Sequence, residues 1–268
     1  TTILKEILSD HKPNYTNEDL LALYTFTGGV PKYIENFIDN GCMSVDEMID
    51  FMMLPDSMFQ NEGKTLLIQE FGKKYGNYFA ILSAIANGDN TIPKLNDTTG
   101  ETTVTGHLKR LEEDYELITK KRPIFAKDGT QTVRFEISDL FLRFWFRYFT
   151  KYNDLIETGN LELLGKIIKD DYPTYSGLTL EMYFRQKMAE SKEFRNIGSW
   201  WQTKKEKIPC EIDFVGIYAD DKHALVAEVK RQRKNFKPTE FREKVETIRT
   251  KILSKYEIDS RCLSMDDM

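Results

Sequence analysis

Cysteine and histidine are scarce in this chain of 268 residues, which carries three of each. Cys42, Cys210 and Cys262 are far apart and odd in number, which excludes a disulfide framework and implies free thiols in a reducing cytoplasm. His11, His107 and His223 are isolated, so no zinc-ligand spacing exists. No signal peptide is visible, and no apolar run is long and uncharged enough to predict a membrane partner. Strong net charge is missing too: the balance is −5, too small and of the wrong sign for polyanion binding by bulk electrostatics. The chain opens at Thr1, inside helix-like sequence and without Met, so it reads as a fragment of a longer polypeptide.

What is present suits a globular protein with a sizeable core. Hydrophobic residues make up 40% and charged residues 30%, and the length allows two domains or three small ones. Residues 1–72 read as helices. Asn17-Glu18-Asp19 starts one, Gly28-Gly29 makes a turn, and Pro31 opens the next. Gly63-Lys64-Thr65 mimics the tail of a phosphate-binding loop, but Met58 stands where that motif needs glycine and no strand precedes it. Nucleotide binding there is rejected.

Residues 73–152 have the layout of a winged helix. A helix around 79–87, a short one at 91–96 and a third capped by Thr102 precede two strands, 117–119 and 133–137, around a wing at 123–130. On the third helix Lys109 and Arg110 are candidate nucleic-acid contacts. Seven Lys/Arg against six Asp/Glu between 101 and 134 leave a structural or docking role ahead of DNA binding. Residues 138–152 form an aromatic helix, buried nearly all round, with Arg143 and Arg147 on one face. These two arginines read as ion-pair partners.

Residues 153–268 hold the candidate site. After a looser stretch at 153–176, a helix at about 178–190 carries Leu178, Phe184 and Met188 on one stripe. Glu181 falls on that stripe, where a carboxylate is either paired or functional. The segment 208–232 reads as two strands joined by a short turn. A turn at Asp220-Asp221 sets Asp213 opposite Glu228, and a four-residue turn sets it opposite Lys230; either keeps the charges on one face. Two buried carboxylates need counter-charge, which Lys230 supplies and a divalent cation would supplement; oxygen ligands suit Mg2+ or Mn2+. A surface hairpin with a solvated ion cluster remains the alternative. From 222 to 255, eleven Lys/Arg face four acids, and Arg231, Arg233, Lys234 and Lys237 are the candidate polyanion contacts.

Asp213 followed by Glu228-Val-Lys230 resembles the PD-(D/E)XK nuclease signature. Together with GLTLE (177–181), IGSWW (197–201), FTGGVPKYIE (26–35) and SDLFLRFWFRYF (138–149), the chain resembles the C-terminal region of archaeal and bacterial ATPases of the AAA+/STAND type. The resemblance implies a mixed α/β, multidomain protein: a helical lid, a winged helix, then a restriction-endonuclease-like domain. It implies Glu181 as a third metal ligand beside Asp213 and Glu228, with Lys230 catalytic. It also implies that ATP belongs to a missing N-terminal ATPase domain, with nucleic acid, DNA favoured, as the other partner. A non-catalytic module regulating that ATPase is the competing reading, and an oligomer is possible.

Overall fold

The computed structural model describes residues 1–72, 75–127, 129, 132–202 and 210–268. The predicted wing at 123–130 therefore has residues 128 and 130 outside the described residues. The start of the predicted hairpin segment, Ile208, lies outside them too.

The chain is mixed α/β, with helices and two sheets. Five helices come first: α1 (Thr2–His11), α2 (Asn17–Thr27), α3 (Pro31–Asp39), α4 (Val45–Met52) and α5 (Met58–Phe71). Thr16 caps α2 by a reciprocal exchange with Asp19, satisfying two end donors at once. Gly28 and Gly29 take φ of 59° and 84°, the left-handed values the predicted turn requires, and Pro31 sits in the first turn of α3.

Next come α6 (Tyr75–Ala86), α7 (Ile92–Thr99) and α8 (Thr105–Glu113), with β1 (Ile118–Lys121) antiparallel to β2 (Arg134–Ile137). Thr102 does not cap α8. The helix begins at Thr105, and the Val104 N–H that precedes it donates to Asn96 Oδ1 instead. The aromatic segment is α9 (Leu140–Trp145), continuing as a π-helical turn over Phe146–Thr150, and is buried as expected.

The predicted loose stretch 153–176 is corrected by the structure. After α10 (Asn153–Glu157), one 31-residue helix, α11 (Leu161–Ser191), runs through Pro173. Proline removes one backbone donor, but Leu164, Ile168, Tyr172 and Tyr175 are all buried around it. Burial of those four side chains outweighs the local cost of a few kcal/mol.

A four-stranded sheet follows in the order β3 (Phe194–Trp201), β4 (Glu211–Tyr218), β5 (His223–Lys230), β6 (Glu257–Ser264). The first three are antiparallel; β6 joins β5 in parallel after α12 (Pro238–Lys251). One core is continuous from Leu4 through the aromatic segment and α11 to Phe214, Leu225 and Leu263. It thus includes residues from all three stretches that the sequence separates. A second core packs Val215, Ala224 and Val226 against Phe241, Val245 and Ile248 of α12. Ile124, from the loop after β1, joins this second core and donates its N–H to Ser199 of β3.

β4 carries a bulge at a decisive place. Gly198 pairs with Val215 and Trp200 with Ile212, leaving two residues of β4, Asp213 and Phe214, against one of β3. Ile212 and Phe214, two apart, consequently join opposite cores. Such bulges re-aim side chains beside functional sites.

Candidate functional site

Three elements supply the predicted residues. β4 supplies Asp213, β5 supplies Glu228 and Lys230, and α11 supplies Glu181. The β4–β5 register pairs Phe214 with Ala227 and Val215 with Val226. The next step along this ladder sets Asp213 opposite Glu228, the geometry of the shorter turn. The Val229 N–H donates to Asp213 Oδ2 at 2.8 Å, fixing that carboxylate across the strands.

Glu228 follows Ala224 and Val226 onto the α12 side of the sheet. Lys230 Nζ reaches its Oε1 at 2.9 Å. Lys244 of α12, which the sequence reading missed, reaches Oε2 at 2.8 Å. Burial opposes ionisation of Glu228, but the hydrogen bonds from Lys244 and Lys230 outweigh it and hold its carboxyl below the usual range.

Glu181 and Asp213 are in the opposite condition. Burial first, and the Asp213 carboxylate second, push Glu181 up to about 8. Its nearest cation, Arg185 Nη1, is 3.8 Å away. Asp213 is raised by burial, which the Val229 N–H opposes, and Glu228 raises it further. Positive charge is therefore concentrated on Glu228 and deficient at the other two acids. Among the described residues no three His, Cys, Asp or Glu side chains gather as a ready metal cluster. Glu228 faces α12 and its two lysines, whereas Glu181 and Asp213 line a cavity that does not include it.

Glu181 and Asp213 line a cavity of about 320 Å3 between α9, α11 and the β3–β4 edge, together with Arg143, Arg185, Tyr175 and Trp201. Trp200 packs in the second core, whereas Trp201 lies under the Arg134 guanidinium at 4.5 Å. Arg134 in turn holds Glu211 in a two-pronged ion pair, 2.5 and 3.1 Å.

The predicted nucleic-acid residues divide. Arg231 is half-buried: it bonds both oxygens of Glu18 at 2.6 and 2.7 Å and also Ser176 Oγ. Arg233 pairs with Asp267 at 2.6 Å and Lys237 with Glu240 at 2.9 Å, both on the surface. Lys234 is exposed. Lys109 and Arg110 are exposed on α8, the first 3.6 Å from Glu113 and the second engaged with Tyr78. No helix among the described residues is long and apolar enough to cross a membrane.

An uncharacterized protein of Methanocaldococcus jannaschii is 30% identical over 232 residues, covering 83% of this chain, which spans only 50% of that relative's length. No solved structure matches. Residues 145–244, from the aromatic segment to Lys244, match a family described as archaea bacterial proteins of unknown function.

Proposed function

We propose that the sheet-bearing part of the chain is a divalent-cation-dependent phosphodiesterase on the PD-(D/E)XK plan, acting on nucleic acid with DNA favoured. One arrangement carries the reading: Asp213 of β4 lines a cavity with Glu181 of α11 and faces Glu228 of β5 across the strands, with Lys230 paired to Glu228. The oxygen donors and the deficit of positive charge at Glu181 and Asp213 fit Mg2+ or Mn2+. Those two acids would hold the cation; Glu228 would join them by giving up one lysine. A bound cation supplies Lewis-acid polarisation and an acidified water. Asp213 is preset by the Val229 N–H, and Lys230 is the ammonium available to developing negative charge. Such a preorganised charge is worth about 3–4 kcal/mol in a barrier.

In this reading α6–α8 with β1 and β2 form a winged helix, α8 being the groove-facing helix, and the first five helices are the lid of an ATPase. The M. jannaschii relative, about twice as long as the matched region, supports a larger polypeptide; ATP binding and a cytoplasmic place rest on the resemblance alone. A second reading, a non-catalytic module regulating that polypeptide, is favoured by the double lysine clamp on Glu228.

The test is Mg2+-dependent cleavage of DNA and RNA by the chain, Asp213→Asn and Lys230→Ala, with Mn2+ calorimetry on each. Loss of cleavage by about a hundredfold or more in both variants is expected. Absence of Mn2+ binding and of cleavage in the unsubstituted chain leaves the second reading.

A further inference from the structure

Arg143 is a buried guanidinium that no acid among the described residues neutralises. Its side chain is 8% exposed, and its hydrogen bond is to a neutral hydroxyl, Nη1 to Thr179 Oγ1 at 3.2 Å. Its other neighbour is the Tyr175 ring, 4.6 Å away. Arg147, one turn on, has Asp171 at 3.0 Å. The nearest acid in sequence, Asp139, spends its carboxylate capping α9 through the Leu142 N–H at 2.8 Å. Among the described residues Arg143 has no ion pair. Burying an unpaired charge costs several kcal/mol, so the position calls for an anion from outside the chain.

The cavity that Arg143 lines supplies the rest. Arg185 Nη2, Trp201 Nε1 and the Tyr175 hydroxyl, all from lining residues, are buried without a hydrogen-bond partner among the described residues. Arginine and tryptophan nitrogens can only donate, so the missing partner is rich in acceptors. Guanidinium groups suit phosphate in particular, because their planar fork matches its oxygens. The cavity measures about 320 Å3, well beyond one phosphate and at the lower end of small-molecule sites, about 300–1,000 Å3.

We propose that this cavity receives a single nucleotide by its terminal phosphate, with Arg143 and Arg185 as the phosphate ligands. The inference rests on the phosphodiesterase reading and narrows its substrate to a strand end. It places that phosphate beside Glu181 and Asp213, which line the same cavity.

Calorimetry in EDTA, with no metal present, compares 5′-dAMP, inorganic phosphate and deoxyadenosine on the whole chain. The nucleotide is expected to bind most tightly. Arg143→Gln and Arg185→Gln should each weaken it at least tenfold, and the surface variant Lys166→Ala, exposed on α11, should leave it unchanged. Removing the unpaired guanidinium should leave the Tm of Arg143→Gln equal or higher; a lower Tm with unchanged binding makes Arg143 structural and overturns the proposal. If Arg143→Gln does not fold, Arg185→Gln decides by the same criterion. Equal binding of inorganic phosphate overturns the nucleotide, equal binding of deoxyadenosine overturns the phosphate, and failure of 5′-dAMP to bind at millimolar concentration overturns the site. Because no metal is used, these failures are distinct from a failure to bind Mn2+ or to cleave.

Discussion

Lys244 on α12 lies 2.8 Å from Glu228 Oε2 while Lys230 lies 2.9 Å from Oε1, so one carboxylate answers two ammoniums. Glu228→Gln removes both charge-assisted bonds. It is expected to lower stability by about 1.5–3 kcal/mol at neutral pH. Folding depresses the pKa of Glu228, so its contribution is complete above the unfolded value and fades as pH falls through the folded one. Urea midpoints of the two proteins should therefore converge in acid.

The same clamp limits Glu228 as a metal ligand. Lys244→Met frees Oε2 and leaves Lys230 in place. Removing one competing cation is expected to tighten Mn2+ by about tenfold, roughly 1.4 kcal/mol, read by calorimetry. Unchanged affinity would place the cation on Glu181 and Asp213 alone.

Glu181 gives a slope of opposite sign. Its pKa in the folded chain is about 8, above its ordinary 4.5, so the folded state holds the proton longer. Stability should fall as pH rises from about 4.5 to about 8, by at most about 1.4 kcal/mol per unit. Glu181→Gln is expected to flatten that slope and to be the more stable protein at the alkaline end. Denaturant melts across the window measure it.

Gly63 is a packing residue. A Cβ there would meet the Trp145 ring at 2.3 Å, and Trp145 is pinned by its own Nε1 bond to the Gln60 carbonyl at 2.9 Å. Gly63→Ala is expected to cost about 1–3 kcal/mol by overpacking, seen as a lowered Tm.

Arg231 and Glu18 join β5's end to the first turn of α2. A double-mutant cycle, Arg231→Met with Glu18→Gln, should give a coupling of about 0.5–3 kcal/mol. Lys234→Ala should instead lower the salt slope of DNA binding by about one without a stability change.

Periodicity carried the hairpin. Alternation in the two strands predicts one face for Asp213, Glu228 and Lys230, because a strand's period of two leaves only register to choose; in the structure Glu228 turns toward α12 while Asp213, at the bulge, lines the cavity of Glu181. Glu181 was legible for a similar reason, as a charge on an apolar helical stripe. Lys244 was not. It reaches Glu228 only after a 310 turn and a parallel crossover, and such long-range docking leaves no local spacing to read. The bulge at Asp213 was equally silent, since an extra residue shows only against its partner strand. The Arg231–Glu18 pair was silent too, because a basic run gives no sign that one member is half-buried against a distant acid. The helix across Pro173 was missed because the packing that carries it comes from distant elements.

α11 spans roughly 46 Å at 1.5 Å per residue. Near one end Lys169 grips Asp50 at 2.7 Å and Gly165 lies against Met53; farther along the rod carries Glu181. The far helical bundle and the carboxyl group are therefore mounted on one shaft, whose weak joint is Pro173. Any tilt imposed at Leu164 is delivered to Glu181 as leverage, less whatever that joint absorbs.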